Sequence, residues 1–244
     1  MTAASELLAE LVAADSTNPT LVPGGAGEAG VAAILARRLE AAGLAVDVWD
    51  AAPGRPNVVG RLAGTGGGRS LMFCGHTDVV GAEPEAFTPV VRDGRMHGRG
   101  TNDMKAGIAA AVIAAERLAA GPPPAGDVLV ACVIDEEWES LGAEALVARY
   151  GADAAVLPEQ SDLEVIFAHG GFVWYDVVST GTEAAGARPS AASTASRSPG
   201  ACSRASWRST ATWRGARPPS GAGRASTPRR SAAGRPIRCI RASA

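Results

Sequence analysis

The last 61 residues of this 244-residue chain, from Ala184 to Ala244, contain no Leu, Val, Phe or Met. A segment without these side chains cannot bury enough apolar surface to offset the conformational entropy that is lost on folding. We therefore expect residues 184–244 to form a disordered tail. The folded part should lie within residues 1–183, which is enough for one domain of ordinary size.

The formal net charge of −2 is the sum of two unlike parts of the chain. Residues 184–244 carry 12 Arg and no acidic residue, for a charge of +12. Residues 1–183 hold all 25 acidic residues and the other 11 basic ones, for a charge of −14. An Arg-rich segment that contains Trp207 and Trp213 could bind nucleic acid by phosphate contacts and stacking. It has no RGG-type repeat, however, and we expect no nucleic-acid partner.

The composition of residues 184–244 has a simpler explanation than binding. Apart from Ile237 and Ile240, every residue there is of a type whose codons have G or C in the middle position. In a GC-rich gene, reading out of frame can move the G or C of the third codon position to the middle. Our hypothesis is that a frameshift near residues 183–187 replaced the original C-terminal sequence.

Helical and strand-like patterns alternate within residues 1–183. Apolar spacing predicts helices over residues 3–14, 27–42, 105–120 and 141–150, and strands over residues 44–49, 57–62, 70–74, 128–134 and 154–157. Hairpins are predicted over residues 90–96, around an Asp-Gly turn, and over residues 163–179. Strands that alternate with helices, several of them apolar throughout, are typical of an α/β sheet covered on both faces.

The expected location of the protein is the cytoplasm. No apolar run approaches the length that spans a membrane. The chain begins with an acidic, helical segment rather than with the basic and then apolar pattern of a signal peptide. The four Cys residues show no CxxC spacing, which argues against a zinc knuckle.

Four polar clusters lie at the ends of predicted strands or in the loops that follow them. In open α/β sheets the chemistry gathers at such positions. The first cluster, residues 75–78, contains His76 and Asp78, and the second, residues 98–105, contains Asp103. The third consists of Asp135, Glu136 and Glu137, and the fourth is Glu159.

A His residue among carboxylates is a donor set that suits zinc, cobalt or manganese. In His76-x-Asp78 the Asp could accept the second N–H of the imidazole, which fixes the tautomer. One of the adjacent residues Glu136 and Glu137 could hold a metal ion while the other accepts a proton from the attacking water. Each signal is weak alone, since a lone His is often structural and an acidic pair often faces solvent. The hypothesis of a metal site therefore depends on the presence of all four clusters, in this order, at strand ends.

The segments GHTDVV, GRGTNDMKAG, DEEWESLGAEAL and PEQSDLEV resemble the motifs of a known metallopeptidase and deacylase family. That family includes acetylornithine deacetylase, succinyl-diaminopimelate desuccinylase, aminoacylase and carboxypeptidase G. The resemblance implies an α/β fold with a three-layer αβα, zinc-exopeptidase-like catalytic domain. It implies hydrolysis of an amide bond next to a free carboxylate, in N-acyl amino acids or small peptides.

The resemblance also implies two divalent metal ions, zinc or cobalt, with manganese as a further option. His76 and Glu159 would bind one ion, Glu137 would bind the other, and Asp103 would bridge both. The peptide bond after Asp103 is often cis in such proteins. The usual Glu-Pro-Thr motif is replaced here by Glu159, Gln160 and Ser161.

Two further roles come from the same resemblance. Glu136 would be the general base, and Asp78 would support the ring of His76. Arg99 and Lys105, which flank Asp103, are expected to lie at the surface or in local pairs. His97 and His169 are expected to be surface or packing residues.

The resemblance implies that the C-terminal part of the enzyme is missing. Two further His residues of the family, an oxyanion donor and a metal ligand, have no counterpart after His169. We expect residues 1–168 to form a partial catalytic domain and residues 169–183 to begin the lid domain, through which many members form homodimers. One metal site would be incomplete, and activity would be impaired or lost in an inactive remnant.

Overall fold

A computed structural model of the chain describes residues 2–166. Its four α-helices are α1 (Ala3–Ala13), α2 (Ala29–Ala41), α3 (Ala106–Ala119) and α4 (Leu141–Val147). Its strands are β1 (Ala45–Ala52), β2 (Arg55–Leu62), β3 (Leu71–His76), β4 (Val90–Arg92), β5 (Arg95–His97), β6 (Val128–Val133) and β7 (Ala154–Val156). Each matches a helix, strand or hairpin arm predicted from the sequence.

Local side chains fix the ends of the first two helices. Thr2 and Ser5 form a capping box at the start of α1, in which each side chain accepts a hydrogen bond from the backbone N–H of the other. Gly43 follows α2 in the left-handed conformation, with φ of 84°, which glycine adopts without strain.

Five strands form one mixed sheet in the order β1-β2-β6-β3-β7. Strand β2 pairs antiparallel with both β1 and β6, whereas β3 pairs parallel with both β6 and β7. The carboxyl ends of β3, β6 and β7 therefore lie along one edge of the sheet. Strands β4 and β5 form a separate hairpin, as predicted.

Helices cover both faces of the sheet. On one face, Leu7, Leu35 and Val112 from α1, α2 and α3 pack with apolar side chains of the sheet. On the other face, Leu146 of α4 packs against Met72 and Leu129. Every residue of β6 is buried, because this central strand lies between the two cores. The predicted α/β, three-layer arrangement is confirmed for the described residues.

Several expectations lie outside the described residues. These are the start of the lid domain at residues 169–183, the tail at residues 184–244, and His169. The second predicted hairpin falls mostly there too, and its described part, residues 163–166, contains no strand. Among residues 2–166, no helix is long and apolar enough to cross a membrane.

Candidate metal centre

The candidate site lies at the edge of the sheet where three parallel strands end. His76 is the last residue of β3, Glu136 and Glu137 follow β6 by three and four residues, and Glu159 follows β7 by three. Because β3 is hydrogen-bonded to both β6 and β7, the topology brings these side chains together. This is the edge at which open α/β sheets bind their ligands.

The ring of His76 is buried, with 1% of the side chain exposed. Its Nδ1 lies 3.0 Å from the backbone oxygen of Asp78 and 3.5 Å from the carboxylate of the same residue. Since a carbonyl oxygen can only accept, Nδ1 carries a hydrogen, and Nε2 is the ring nitrogen that faces the other side of the site. The sequence predicts a carboxylate contact here, but the backbone oxygen of Asp78 is the nearer partner.

Three carboxylates surround Nε2 of His76. Nε2 lies 2.9 Å from Oδ1 of Asp103, 3.7 Å from Oε1 of Glu159 and 3.8 Å from Oε2 of Glu136. One ligand atom from each of His76, Asp103 and Glu159 falls within 4.8 Å of the other two. This spacing allows the three residues to bind one cation together.

Asp103 reaches the site from an irregular turn, Thr101–Lys105, that precedes α3. The peptide bond between Asp103 and Met104 is cis, as the family resemblance implies. Oδ2 of Asp103 accepts a hydrogen bond of 3.1 Å from the amide of Gln160. Gln160, one of the two residues at which the sequence departs from the family pattern, thus contacts a candidate ligand.

Glu159 owes its position to a close approach of two backbones. Gly107, at the start of α3, faces the carbonyl oxygen of Pro158, and a Cβ at residue 107 would overlap that oxygen. A glycine at residue 107 therefore lets the loop that carries Glu159 lie against the helix that follows Asp103.

The carboxylate of Asp78 faces away from the cation position and accepts three hydrogen bonds. The donors are the side-chain amide of Asn18 at 2.8 Å and the backbone N–H groups of Glu136 and Glu137 at 3.0 and 3.2 Å. Burial opposes ionisation, but the hydrogen bonds and the charge of His76 outweigh it and hold the pKa of Asp78 below its usual value.

The charges at the centre are unbalanced without a cation. Burial lowers the pKa of His76, but Asp78, Glu136 and Glu159 outweigh that effect and raise it to about 10. Burial raises the pKa of Glu159, and repulsion from Asp103 and Glu136 raises it further. The pKa of Glu137 is raised by burial and by the charge of Asp103. The cluster therefore attracts positive charge.

The residues present fit a divalent cation of the zinc type. An imidazole nitrogen with carboxylate oxygens is a donor set that zinc, cobalt and manganese accept, and a cation would remove the repulsion among the carboxylates. Among residues 2–166, the group close enough to share one ion comprises His76, Asp103 and Glu159. Glu137 lies outside that group, although its charge interacts with that of Asp103.

Sequence reasoning missed some residues and misplaced one. Lys105, expected at the surface or in a local pair, is fully buried. Its Nζ donates to the backbone oxygens of Leu11 and Ala14, at 2.8 and 3.0 Å. That expectation was wrong because the partners lie at the carboxyl end of α1, far from Lys105 in the sequence.

Asn18 and Arg55, whose side chains contact the buried carboxylates behind the site, carry no motif that identifies them. His97 is exposed in β5, as expected.

Comparison with known protein families gives a match to the part of the chain that carries the candidate site. Residues 72–221 match the peptidase family M20/M25/M40. The matched segment includes the strands and loops that carry all six candidate residues. The chain belongs to this family.

Individual relatives share the same part of the chain. N-formyl-4-amino-5-aminomethyl-2-methylpyrimidine deformylase of Bacillus subtilis is 34% identical over 165 residues, which is 63% of this chain and 38% of the relative. Succinyl-diaminopimelate desuccinylase of Paracidovorax citrulli is 40% identical over 144 residues, 53% of this chain and 37% of the relative. The chain thus spans less than two fifths of the length of either relative.

A solved structure extends the similarity to the fold. A tripeptidase from Staphylococcus aureus superposes with a TM-score of 0.54 at 26% identity. The superposition covers 65% of this chain and 43% of the tripeptidase. The shared part corresponds in size to the sheet and helices that carry the candidate metal centre.

Proposed function

We propose that this chain is a metal-dependent hydrolase of amide bonds in N-acyl amino acids or small peptides, similar to acetylornithine deacetylase. The observation that carries the proposal is the convergence of His76, Asp103 and Glu159 within 4.8 Å, with the carboxylate of Glu136 beside them. The names of the relatives, a deformylase, a desuccinylase and a tripeptidase, support acyl or peptide bonds as the target.

His76, Asp103, Glu137 and Glu159 are the proposed metal ligands. Two ions of zinc or cobalt, or of manganese, would be held by this set, with Asp103 between them. A divalent cation at this position supplies Lewis-acid activation of water and of the substrate carbonyl. Because the Nδ1 hydrogen faces Asp78, Nε2 of His76 is the ring nitrogen that would bind a metal ion, in exchange for its own proton.

Glu136 is the proposed general base. Its side chain is 51% exposed, so substrate and water can reach the carboxylate. The carboxylate accepts a proton as the oxygen of water bonds to the carbonyl carbon. It then gives that proton to the amide nitrogen as the C–N bond breaks, which releases a carboxylate and an amine.

A substitution of Glu136 tests this proposal in the full chain. Release of free amine from N-acetyl and N-succinyl amino acids would be measured with added Zn²⁺ or Co²⁺. Glu136→Gln should lower the rate by at least about 100-fold while cobalt binding persists. Glu139→Gln is the matched control, since Glu139 is an exposed residue of the same turn. Equal rates in Glu136→Gln and the unaltered chain would contradict the role.

An inactive remnant is the second candidate, favoured by the sequence of residues 184–244. We propose that residues 1–168 form the catalytic part, that residues 169–183 begin a lid, and that the remaining residues are translated out of frame. Reading the gene past codon 183 in the other frames should then reveal the late His-containing motifs. If no frame encodes them, the frameshift hypothesis is wrong.

An activity comparison separates the two candidates. A version of the chain with the restored frame should hydrolyse N-acyl amino acids. The present chain should do so at a rate lower by at least about 100-fold, because loss of one oxyanion donor alone has an effect of that size. Equal rates would show that the present sequence retains what catalysis requires.

A further inference from the structure

A buried network of polar side chains lies behind the candidate metal centre. It joins segments that are far apart in sequence, and its five members are at most 8% exposed. They are Asn18, Glu28, Arg55, Asp78 and Asp135. Apart from Asp78, none of these residues has a role in the function proposed above.

Asn18 lies between two buried carboxylates. Its Nδ2 donates one hydrogen bond of 2.8 Å to Asp78 and another of 3.0 Å to Asp135. Its Oδ1 accepts the backbone N–H of Thr20 at 2.9 Å, and its own backbone N–H donates to Val79 at 2.9 Å. All hydrogen-bonding groups of the Asn18 side chain are thus used within the protein, which fixes its orientation.

Arg55 supplies the positive charge of the network. Its Nε and Nη2 donate to the two oxygens of Glu28 at 2.9 and 2.6 Å. Its Nη1 lies 3.0 Å from Oδ1 of Asp135. Two carboxylates that share one amide repel each other in a buried site, so the guanidinium offsets the charge of Asp135 and allows both to remain close to Asn18.

Asp135 and Asp78 together hold the turn of residues 135–140. Asp135 has φ of 65°, and its backbone oxygen accepts the N–H of Ser140 at 2.6 Å. Its Oδ2 accepts the N–H of Glu139 at 3.3 Å. Asp78 accepts the N–H groups of Glu136 and Glu137. Asp78 therefore holds the backbone of Glu136 and Glu137, and Asp135 holds the end of the turn. Asn18 connects these two carboxylates.

We propose that Asn18 and Arg55 are positioning residues, which orient Glu136 and Glu137 toward His76 by fixing the carboxylates of Asp78 and Asp135. The inference rests on the proposed function only for what the orientation of Glu136 and Glu137 would serve. The claim that Asn18 and Arg55 hold the turn of residues 135–140 does not depend on that function. A polar network whose members are all satisfied restricts its surroundings to one arrangement, and a site held in this way needs little reorganisation when it binds a ligand.

Amide hydrogen exchange of the full, metal-free chain tests the physical claim. In Asn18→Ala, exchange of the amides of residues 136–140 should accelerate by at least about tenfold, because each hydrogen bond to a charged group contributes about that factor. Exchange in α3 should stay within about twofold. Leu39→Ala is the control, since Leu39 is fully buried in the core beneath the sheet and does not belong to the network.

The two possible contrary results are distinct. If Asn18→Ala accelerates exchange equally in the turn and in α3, as Leu39→Ala should, then Asn18 contributes to stability in general and the proposal is wrong. If the turn of Asn18→Ala exchanges at the rate of the unaltered chain, Asn18 does not hold the turn, and the proposal is also wrong.

Cobalt binding, followed by the visible absorption of Co²⁺, tests the consequence for the metal centre. Arg55→Lys keeps the charge but loses the planar fork that contacts Glu28 and Asp135. Asn18→Ala and Arg55→Lys should each weaken cobalt binding by about 10- to 100-fold, as loss of residues that orient ligands does. Arg61→Lys is the matched control, because Arg61 lies on the same strand and pairs with Asp127 at the surface.

The readouts separate failure of the two proposals. An unaltered chain that binds no cobalt contradicts the proposed metal-dependent function, and the exchange experiment still decides whether Asn18 holds the turn. Unchanged cobalt affinity in both Asn18→Ala and Arg55→Lys, with normal binding by the unaltered chain, would overturn the positioning role.

Discussion

The inner and outer halves of the candidate metal centre are built in different ways. The inner half, His76 and Asp78, is buried, with at most 1% of either side chain exposed. The outer half consists of Asp103, Glu136 and Glu159, whose side chains are 36–51% exposed. The inner half is fixed by hydrogen bonds within the protein, whereas the outer carboxylates repel one another. The difference implies that the buried core fixes the side chains of the inner half, whereas a bound cation would relieve the repulsion among the carboxylates of the outer half.

The largest expected effect is the loss of the buried ligand. His76→Ala should weaken zinc or cobalt binding by at least about 100-fold, because it removes the one nitrogen donor of the group. Glu159→Ala should weaken binding by about tenfold, since the remaining carboxylates can shift toward the ion. Calorimetric titration of both variants measures the difference. Similar losses in the two would mean that the inner and outer halves contribute equally.

Removal of Asp78 should produce the largest loss of stability. Asp78→Ala leaves one N–H of the buried Asn18 amide and two backbone N–H groups without their acceptor, and should lower the free energy of unfolding by about 3 kcal/mol. Glu159→Ala should change it by less than about 0.5 kcal/mol in the metal-free protein, because the carboxylate is partly solvated. Chemical denaturation of both variants measures these two changes. Equal losses in the free energy of unfolding would contradict the difference between the inner and outer halves.

Gly107→Ala probes the support of the outer half. The added methyl group overlaps the carbonyl oxygen of Pro158, so the loop that carries Glu159 must move. We expect a loss of about 2 kcal/mol in the free energy of unfolding and weaker cobalt binding. Gly30→Ala, at a helical position with open space around it, is the control. A stable Gly107→Ala with unchanged cobalt affinity would show that this close approach does not position Glu159.

The smallest effect is expected at Gln160. Its single hydrogen bond to Asp103 is exposed to solvent, so water can replace the donor. Gln160→Ala should weaken cobalt binding by about threefold and leave the melting temperature unchanged within experimental error. A loss as large as that of His76→Ala would place Gln160 among the groups on which the outer half depends.

Much of the fold follows from local patterns in the sequence. Helices α1 to α4 and the seven strands were predictable because apolar spacing and turn residues act over a few neighbouring positions. The polar clusters of the site were predicted from their positions at strand ends, and the six candidate residues within them from the resemblance to the motifs of a known family. The structure brings His76, Asp103, Glu136 and Glu159 close together. The parallel pairing of β3 with β6 and β7 explains this for His76, Glu136 and Glu159, whereas Asp103 comes from the turn before α3.

The support behind the site was not predictable in the same way. Asn18 contacts Asp78 and Asp135, which are 60 and 117 residues away in the sequence. An Asn in a loop normally predicts a turn, and nothing local distinguishes this one. Lys105 was misplaced for a related reason: its carbonyl partners belong to α1, more than 90 residues earlier. Such contacts depend on how the elements pack together.

The buried ammonium of Lys105 has a consequence for how far this protein can be shortened. Helix α1 ends with carbonyl groups that have no partner within the helix, and Lys105 occupies two oxygens at that end. A chain that begins after residue 15 would lose both acceptors of this ammonium and the helix that lies against it, two residues from Asp103. We therefore expect the N-terminal helix to belong to the smallest version of this protein that keeps the candidate metal centre intact.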